Sequence, residues 1–172
     1  MRAIILLLLL FPIAALSQTQ DVYISLTDAS GQQIKGDVTV KGFEKCINAL
    51  AFTSSGKNNT QLNFSMNISP ASADLKRALA SGAILPNGMM TVSQFSPGMG
   101  RPVILYTVKM ENIRVTTCSE SMGCNNVMTT STSVVATRIG WTYYQIDNRT
   151  GKQTASRKYG YDGDTGKEWT NF

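Results

Sequence analysis

Three cysteines and no histidine set the side-chain chemistry open to this chain. Without histidine there is no Ser-His-Asp or Cys-His relay and no imidazole metal ligand. Cys118 and Cys124 lie six apart in a polar segment and could close a small ring, which leaves Cys46 as an odd, buried thiol. Spacing alone does not fix that pairing. A zinc site has no second cysteine pair to draw on.

A Ser-Lys pair remains formally open, because Ser72 and Lys76 fall one helical turn apart. A capped surface helix with a polar outer face explains both residues better. Asp162-Gly163-Asp164-Thr165-Gly166 resembles the start of a calcium loop. An EF-hand needs a bidentate acid at its twelfth position, and that count runs past Phe172. A glycine-rich turn is the simpler reading, with Asp162, Asp164 and Glu168 as acids that sit near one another. Asn58, Asn63, Asn67 and Asn148 each open an Asn-x-Ser/Thr sequon, which matters only in a glycosylating cell. Gly140-Trp141-Thr142-Tyr143-Tyr144 could offer an aromatic platform, but these types are first of all strand formers, and Trp141 is expected in the core. The chain thus predicts no catalytic, cofactor-binding or metal-binding residue. Its candidate site residues are the disulfide pair Cys118 and Cys124.

Positioning these residues falls mainly to strands. Val22, Ile24 and Leu26 alternate on one face of Asp21 to Leu26. Val38 to Val40, Ile47 to Phe52, Leu62 to Ile68 and Met89 to Phe95 read as further strands. Pro102 to Thr117 and Met128 to Ile146 read as long ones. The alternation in the first of these shifts phase near Glu111-Asn112, which suggests a bulge. Ser119 to Asn126 reads as a loop. One helix interrupts the pattern over Pro70 to Ser81. Ser69 is its N-cap candidate and Pro70 takes the first helical position. Leu75, Ala78 and Leu79 share a face, and Gly82 stands at the C-cap. Many strands with one helix predict an antiparallel barrel or sandwich of two packed sheets, the helix on its flank.

The first residues read as an export signal. Met1-Arg2 is a short positive start, Ala3 to Leu16 is almost wholly apolar, and Ala15-Leu16-Ser17 is a small-x-small cleavage pattern. The apolar run is shorter than the about 20 residues a membrane span needs. Residues 1–17 are therefore expected to be a signal peptide and residues 18–172 one domain, with no stable membrane insertion after cleavage. The expected destination is the periplasm or the exterior. The net charge of +5 includes Arg2. The other basic residues are scattered without a stripe, which points away from nucleic acid.

The ordered chain also resembles the tube protein of the type VI secretion system, the haemolysin-coregulated protein (Hcp) family. The resemblance runs through Asp21-Val22-Tyr23-Ile24-Ser25-Leu26, Ile34-Lys35-Gly36, Leu50-Ala51-Phe52-Thr53 and Ile68-Ser69-Pro70. It continues through Leu79-Ala80-Ser81-Gly82, Ile139-Gly140-Trp141-Thr142-Tyr143 and Tyr159-Gly160-Tyr161-Asp162. It implies a tight β-barrel with a flanking helix, non-enzymatic and without cofactors. The implied partners are further copies of the chain in hexameric rings that stack into a tube, together with secretion-system components or small effector cargo. A monomeric secreted binding module on the same barrel is the alternative.

Export would fold the chain where disulfides persist. Alkylation of exported protein without reductant, followed by mass spectrometry, is expected to label Cys46 and to leave Cys118 and Cys124 unlabelled. Label on all three would overturn both the bond and the export reading.

Overall fold

A computed structural model describes residues 19–55, 60–96, 100–123, 126–147, 150 and 152–172. Strands β1 (Gln20–Leu26), β2 (Ile47–Ser54) and β3 (Gln61–Asn67) precede helix α1 (Pro70–Ser81). Then follow β4 (Ile84–Ser96), β5 (Arg101–Met122), β6 (Met128–Ile146), β7 (Gln153–Asp162) and β8 (Lys167–Glu168). All neighbours are antiparallel, in the order β3-β2-β1-β4-β5-β6-β7-β8. A further ladder joins β3 to β6 and closes the first six strands into a barrel. The mainly β expectation, a closed antiparallel barrel with one flanking helix, is what the structure shows.

Strand β6 makes the closure possible because it is long enough to serve two partners on one edge. Thr129–Val135 pair with β3, and Arg138–Ile146 pair with β7. Its other edge is covered by β5 from Tyr106 to Met122. The barrel interior is filled by inward side chains, among them Ile24, Leu62, Met90, Val108, Ile113 and Ile139, all fully buried.

Local chemistry explains α1. Pro70 needs no hydrogen-bond partner at the first position, and the Ser69 N–H donates to Ser72 Oγ at 3.2 Å. The apolar stripe of Ala71, Leu75 and Ala78 is buried against the barrel, with Leu79 packed at its margin. Gly82 ends the helix in the left-handed conformation (φ 64°), where its N–H caps the last carbonyls.

Four strand expectations need correction. Val38–Val40 forms no strand: Val38 exchanges backbone bonds with Lys45 and Cys46 in an irregular loop, and Val40 is exposed. Strand propensity is worth little where no ladder receives it. Strand β4 starts at Ile84, well before Met89. Pro86 is tolerated because the ladder to β1 ends at the Leu26–Gly88 pair, which leaves that edge without a strand partner. Ser119–Met122 continues β5, paired with Ser131–Met128, where a loop was expected.

The fourth correction concerns the phase shift at Glu111-Asn112. Val108 and Met110 face inward before it, Ile113 and Val115 after it. The ladder to β6 nevertheless keeps its register from Glu111–Arg138 to Ile113–Ala136. The device is Asn112 in left-handed backbone (φ 53°), a conformation asparagine tolerates better than most residues. Strands β4 and β6 change their inward face at the same level: Met90 and Gly88 give way to Leu85, and Ile139 gives way to Ala136. The register shifts in the two ladders of β5 lie elsewhere, between Val92 and Ser93 and between Val115 and Thr117.

Trp141 takes its expected place in the core, 7% exposed, with its indole N–H donating to Ser54 Oγ at 2.9 Å. Trp141→Ala should destabilise the domain by about 3–5 kcal/mol, the usual cost of truncating a core tryptophan. Unfolding in urea checks this, and wild-type stability in that variant would contradict the register of β6.

Candidate functional site

The residues that could have formed a Ser-Lys pair are committed separately. Ser72 Oγ is buried and shares a hydrogen bond of 2.9 Å with Thr130 Oγ1, which ties the start of α1 to β6. Lys76 points away and pairs with Glu120 on β5 at 2.7 Å. The two side chains thus act as separate fasteners between helix and sheet.

The acidic turn after β7 is likewise satisfied from within. Asp162 is 7% exposed. One carboxylate oxygen accepts the Asp164 N–H at 2.9 Å and the Thr165 N–H at 3.3 Å. The other accepts Arg138 Nε–H at 3.0 Å. Arg138 also reaches Glu111 at 3.4 Å, and Glu111 pairs with Lys109 at 3.3 Å. Burial pushes the Asp162 carboxyl up. The Thr165 N–H, Arg138 and the Asp164 N–H together outweigh it and hold the group below the ordinary carboxylate range. Asp164 and Glu168, the other acids of that turn, are exposed.

Of the cysteines, Cys46 is buried with a free thiol, as expected. Burial, helped by the nearby Glu44 carboxylate, pushes its pKa up and keeps it protonated. Cys118 lies within the β5–β6 ladder opposite Thr132, whose hydroxyl approaches its sulfur at 3.7 Å. Cys124 lies outside the described residues, as do Asn58 and Asn148. Asn63 is engaged, accepting from Gln61 at 2.6 Å and donating to Thr53 at 3.1 Å.

What remains is surface, and it is differentiated. Beyond β6, the last residues fold back over the sheet. Phe172 lies over Gly140 and Gly160, which face each other across the β6–β7 ladder. A Cβ at Gly140 would stand 2.5 Å from the Phe172 ring, so both positions are kept clear for it. Trp169 is buried beside it, 5.0 Å between ring centroids, and Lys109 and Lys158 lie over the two rings. Near the barrel mouth, Tyr106 packs between Phe52 and Tyr143, and Tyr159 stacks on Trp141.

Two cavities differ in character. A groove of about 280 Å³ on the outer face of β2, β3, β5 and β6 is lined by Thr53, Asn63, Ser65, Thr117, Ser131 and Ser133 among others, none of them charged. A second, of about 330 Å³, opens between the outer side of α1 and the turn after β1, over Ile34, Ala78 and Leu85. Sequence reasoning did not find these surfaces, nor the Trp141–Ser54 bond, because each joins residues far apart in the chain. The one local signal was the pair Gly140 and Gly160 inside strands, where glycine marks close approach.

A closed six-stranded antiparallel barrel with one flanking helix defines the class of this protein by its fold. The sequence model of the family described as "Type VI secretion system effector, Hcp" matches residues 23–143. The chain therefore belongs to the Hcp family. Solved structures agree in fold. Hcp1 from Salmonella typhimurium is 18% identical with a TM-score of 0.71, over 87% of this chain and 99% of that one. Hcp1 of the E. coli EAEC 042 pathovar is 21% identical with a TM-score of 0.65, over 83% and 98%. The secreted protein Hcp3 from Pseudomonas aeruginosa is 17% identical with a TM-score of 0.62, over 84% and 98%. At these identities the likeness speaks for the fold. No curated protein matches the chain. Among the described residues no helix is long and apolar enough to cross a membrane.

The Asp162 turn generates a pH test. Its folded pKa is depressed, so its contribution is complete above the unfolded value of about 3.9 and is lost as pH falls through the folded one. The melting temperature of Asp162→Asn should lie below wild type at neutral pH. The gap should narrow below about pH 4. A constant gap down to strong acid would show that the carboxylate charge is not what matters.

Proposed function

We propose that residues 1–17 direct export and are removed before Gln18, and that residues 18–172 are a non-enzymatic structural subunit. Copies of it close into hexameric rings, which are its main partnership. Secretion-system components and small effector cargo are the further partners. The site of action is beyond the cytoplasm, in the periplasm or outside the cell. The observation that carries this reading is the family match over residues 23–143. Supporting it are large apolar side chains left in solvent, among them Leu50, Met122, Tyr143 and Tyr159. A closed ring uses two different patches on each copy, so such residues need not meet their own kind. A bond between Cys118 and Cys124 remains part of the proposal for the exported form.

Light scattering on protein beginning at Gln18, at tens of micromolar, tests the assembly. The expected result is a species of six chain masses, seen as rings in negative-stain images. A monomer at every concentration would overturn the ring and favour the monomeric binding module. Mass spectrometry of protein recovered from the medium or periplasm is expected to find Gln18 first, and an intact Met1 there would overturn cleavage.

A further inference from the structure

Beside the last turn of α1 the surface opens into the 330 Å³ cavity, at the opposite end of β4 from its hairpin with β5. The floor of the cavity is apolar, formed by the buried Ile34, Ala78 and Leu85. Its rim is charged. Asp28 and Asp74 stand there with Arg77, which pairs with Asp74 at 3.4 Å. Two carboxylates against one guanidinium leave an excess negative charge, on a chain whose net charge is +5. The Arg77 side chain lies mostly in solvent, where its charge is screened.

Asp28 is held in place and ionised. One of its carboxylate oxygens accepts the Ser30 N–H at 2.9 Å, the Ser30 hydroxyl at 2.6 Å and the Gln32 N–H at 2.9 Å. The Ser30 hydroxyl and the Gln32 N–H hold its pKa below the ordinary carboxylate range. The second oxygen has no partner among the described residues. The helix end adds to the same potential. Ala78 and Ser81 belong to the last turn of α1, where the helix dipole places partial negative charge. That turn holds no basic residue to offset it.

We propose that this cavity binds a small primary ammonium ion with an apolar body, the body on the floor and the ammonium at Asp28. An apolar cavity of about 150 Å³ accepts benzene, so one of 330 Å³ has room for a body of about six carbons with the ammonium at its mouth. The buried floor selects against an ion charged at both ends, because an unpaired charge is costly to bury. The rim and the helix end select against an anion. A neutral alcohol of the same shape gains the floor and can donate to Asp28, but brings no charge. All the lining residues come from one copy, so the site needs no assembly and stands apart from the ring reading.

NMR titration of isotope-labelled protein with n-hexylammonium chloride, followed at the backbone amides, tests the site. Saturable shifts are expected at Ile34, Ala78 and Leu85, with a dissociation constant of about a millimolar or below. Hexanol should bind about fivefold more weakly, for want of the charge. Hexanoate and hexamethylenediammonium should each bind about tenfold more weakly or worse. Asp28→Asn keeps the oxygen that accepts from Ser30 and Gln32, so the turn survives. It should weaken hexylammonium about fivefold and leave hexanol unchanged. Ser81→Trp, which covers the mouth from an exposed helix position, should weaken both. Glu168→Gln, exposed and outside the cavity, should weaken neither. Amide dispersion equal to wild type shows that each variant is folded. Hexylammonium without saturable shifts, or with shifts centred away from the cavity, would overturn the site. So would hexanol, hexanoate or the diammonium binding as tightly as hexylammonium, or Asp28→Asn binding it as wild type does.

Discussion

The ladder between β3 and the first half of β6 is the constraint on which the rest of the molecule depends. A curled sheet of six strands has two edges, and unless they meet both present unpaired backbone groups. Here Gln61–Asn67 and Thr129–Val135 meet, and the core face of every strand turns inward together. Only alternate residues can point inward, so closure dictates where Leu62, Phe64 and Met66 face Thr130, Thr132 and Val134. The inward threonines follow from the same constraint. Thr130 lies where α1 begins, and its hydroxyl is satisfied by Ser72. A buried hydroxyl without that partner would cost stability.

Because β6 outlasts β3, its upper half must find another neighbour, and β7 supplies it. That handover exposes aromatic faces which the barrel wall would otherwise cover. Trp141 stays buried by reaching Ser54 on β2, whereas Tyr143 and Tyr159 stay half in solvent. On the opposite face of the same strands there is no barrel interior, and the chain covers it with its own Trp169 and Phe172 over the two facing glycines. The Arg138–Asp162 pair then holds the turn from which that tail departs. One difference in strand length thus accounts for the aromatic mouth, the glycine pair and the ion pair together.

Legibility in the sequence followed the range of the forces involved. Helix α1 could be read to the residue, because Ser69, Pro70 and Gly82 act locally through capping and backbone preference. Strand β6 could be read to the residue as well, since strand-favouring residues dominate Met128 to Ile146. Where a segment's structure depends on its neighbour, local reading failed. Pro86, Asn87 and Gly88 look like a turn, yet the ladder to β5 holds them extended. Ser119 to Met122 are polar or flexible, and pair because Met128 to Ser131 lie opposite. The converse failure is Val38–Val40, where β-branched residues met no ladder. The surfaces were least legible of all, since closure of the barrel, and no feature of any single segment, decides which side chains share an end.

The inequality of the two ends follows from topology. In an antiparallel barrel the strands themselves are nearly symmetric end to end, because up and down strands alternate and their dipoles cancel. Asymmetry must come from the connections. At the Phe95 end strands are joined by short hairpins, and at the other end lie the long excursion between β1 and β2, α1 and the β5–β6 hairpin. Short connections leave little chain to cover the last side chains of each strand, and Phe95 stays half exposed. Long connections that pack back produce concavities, as α1 does against the turn around Asp28. A barrel with such a hollow at one end has a direction. Directional units meet end to end through unlike surfaces, which is the geometric requirement for an open stack and is absent from a two-fold contact.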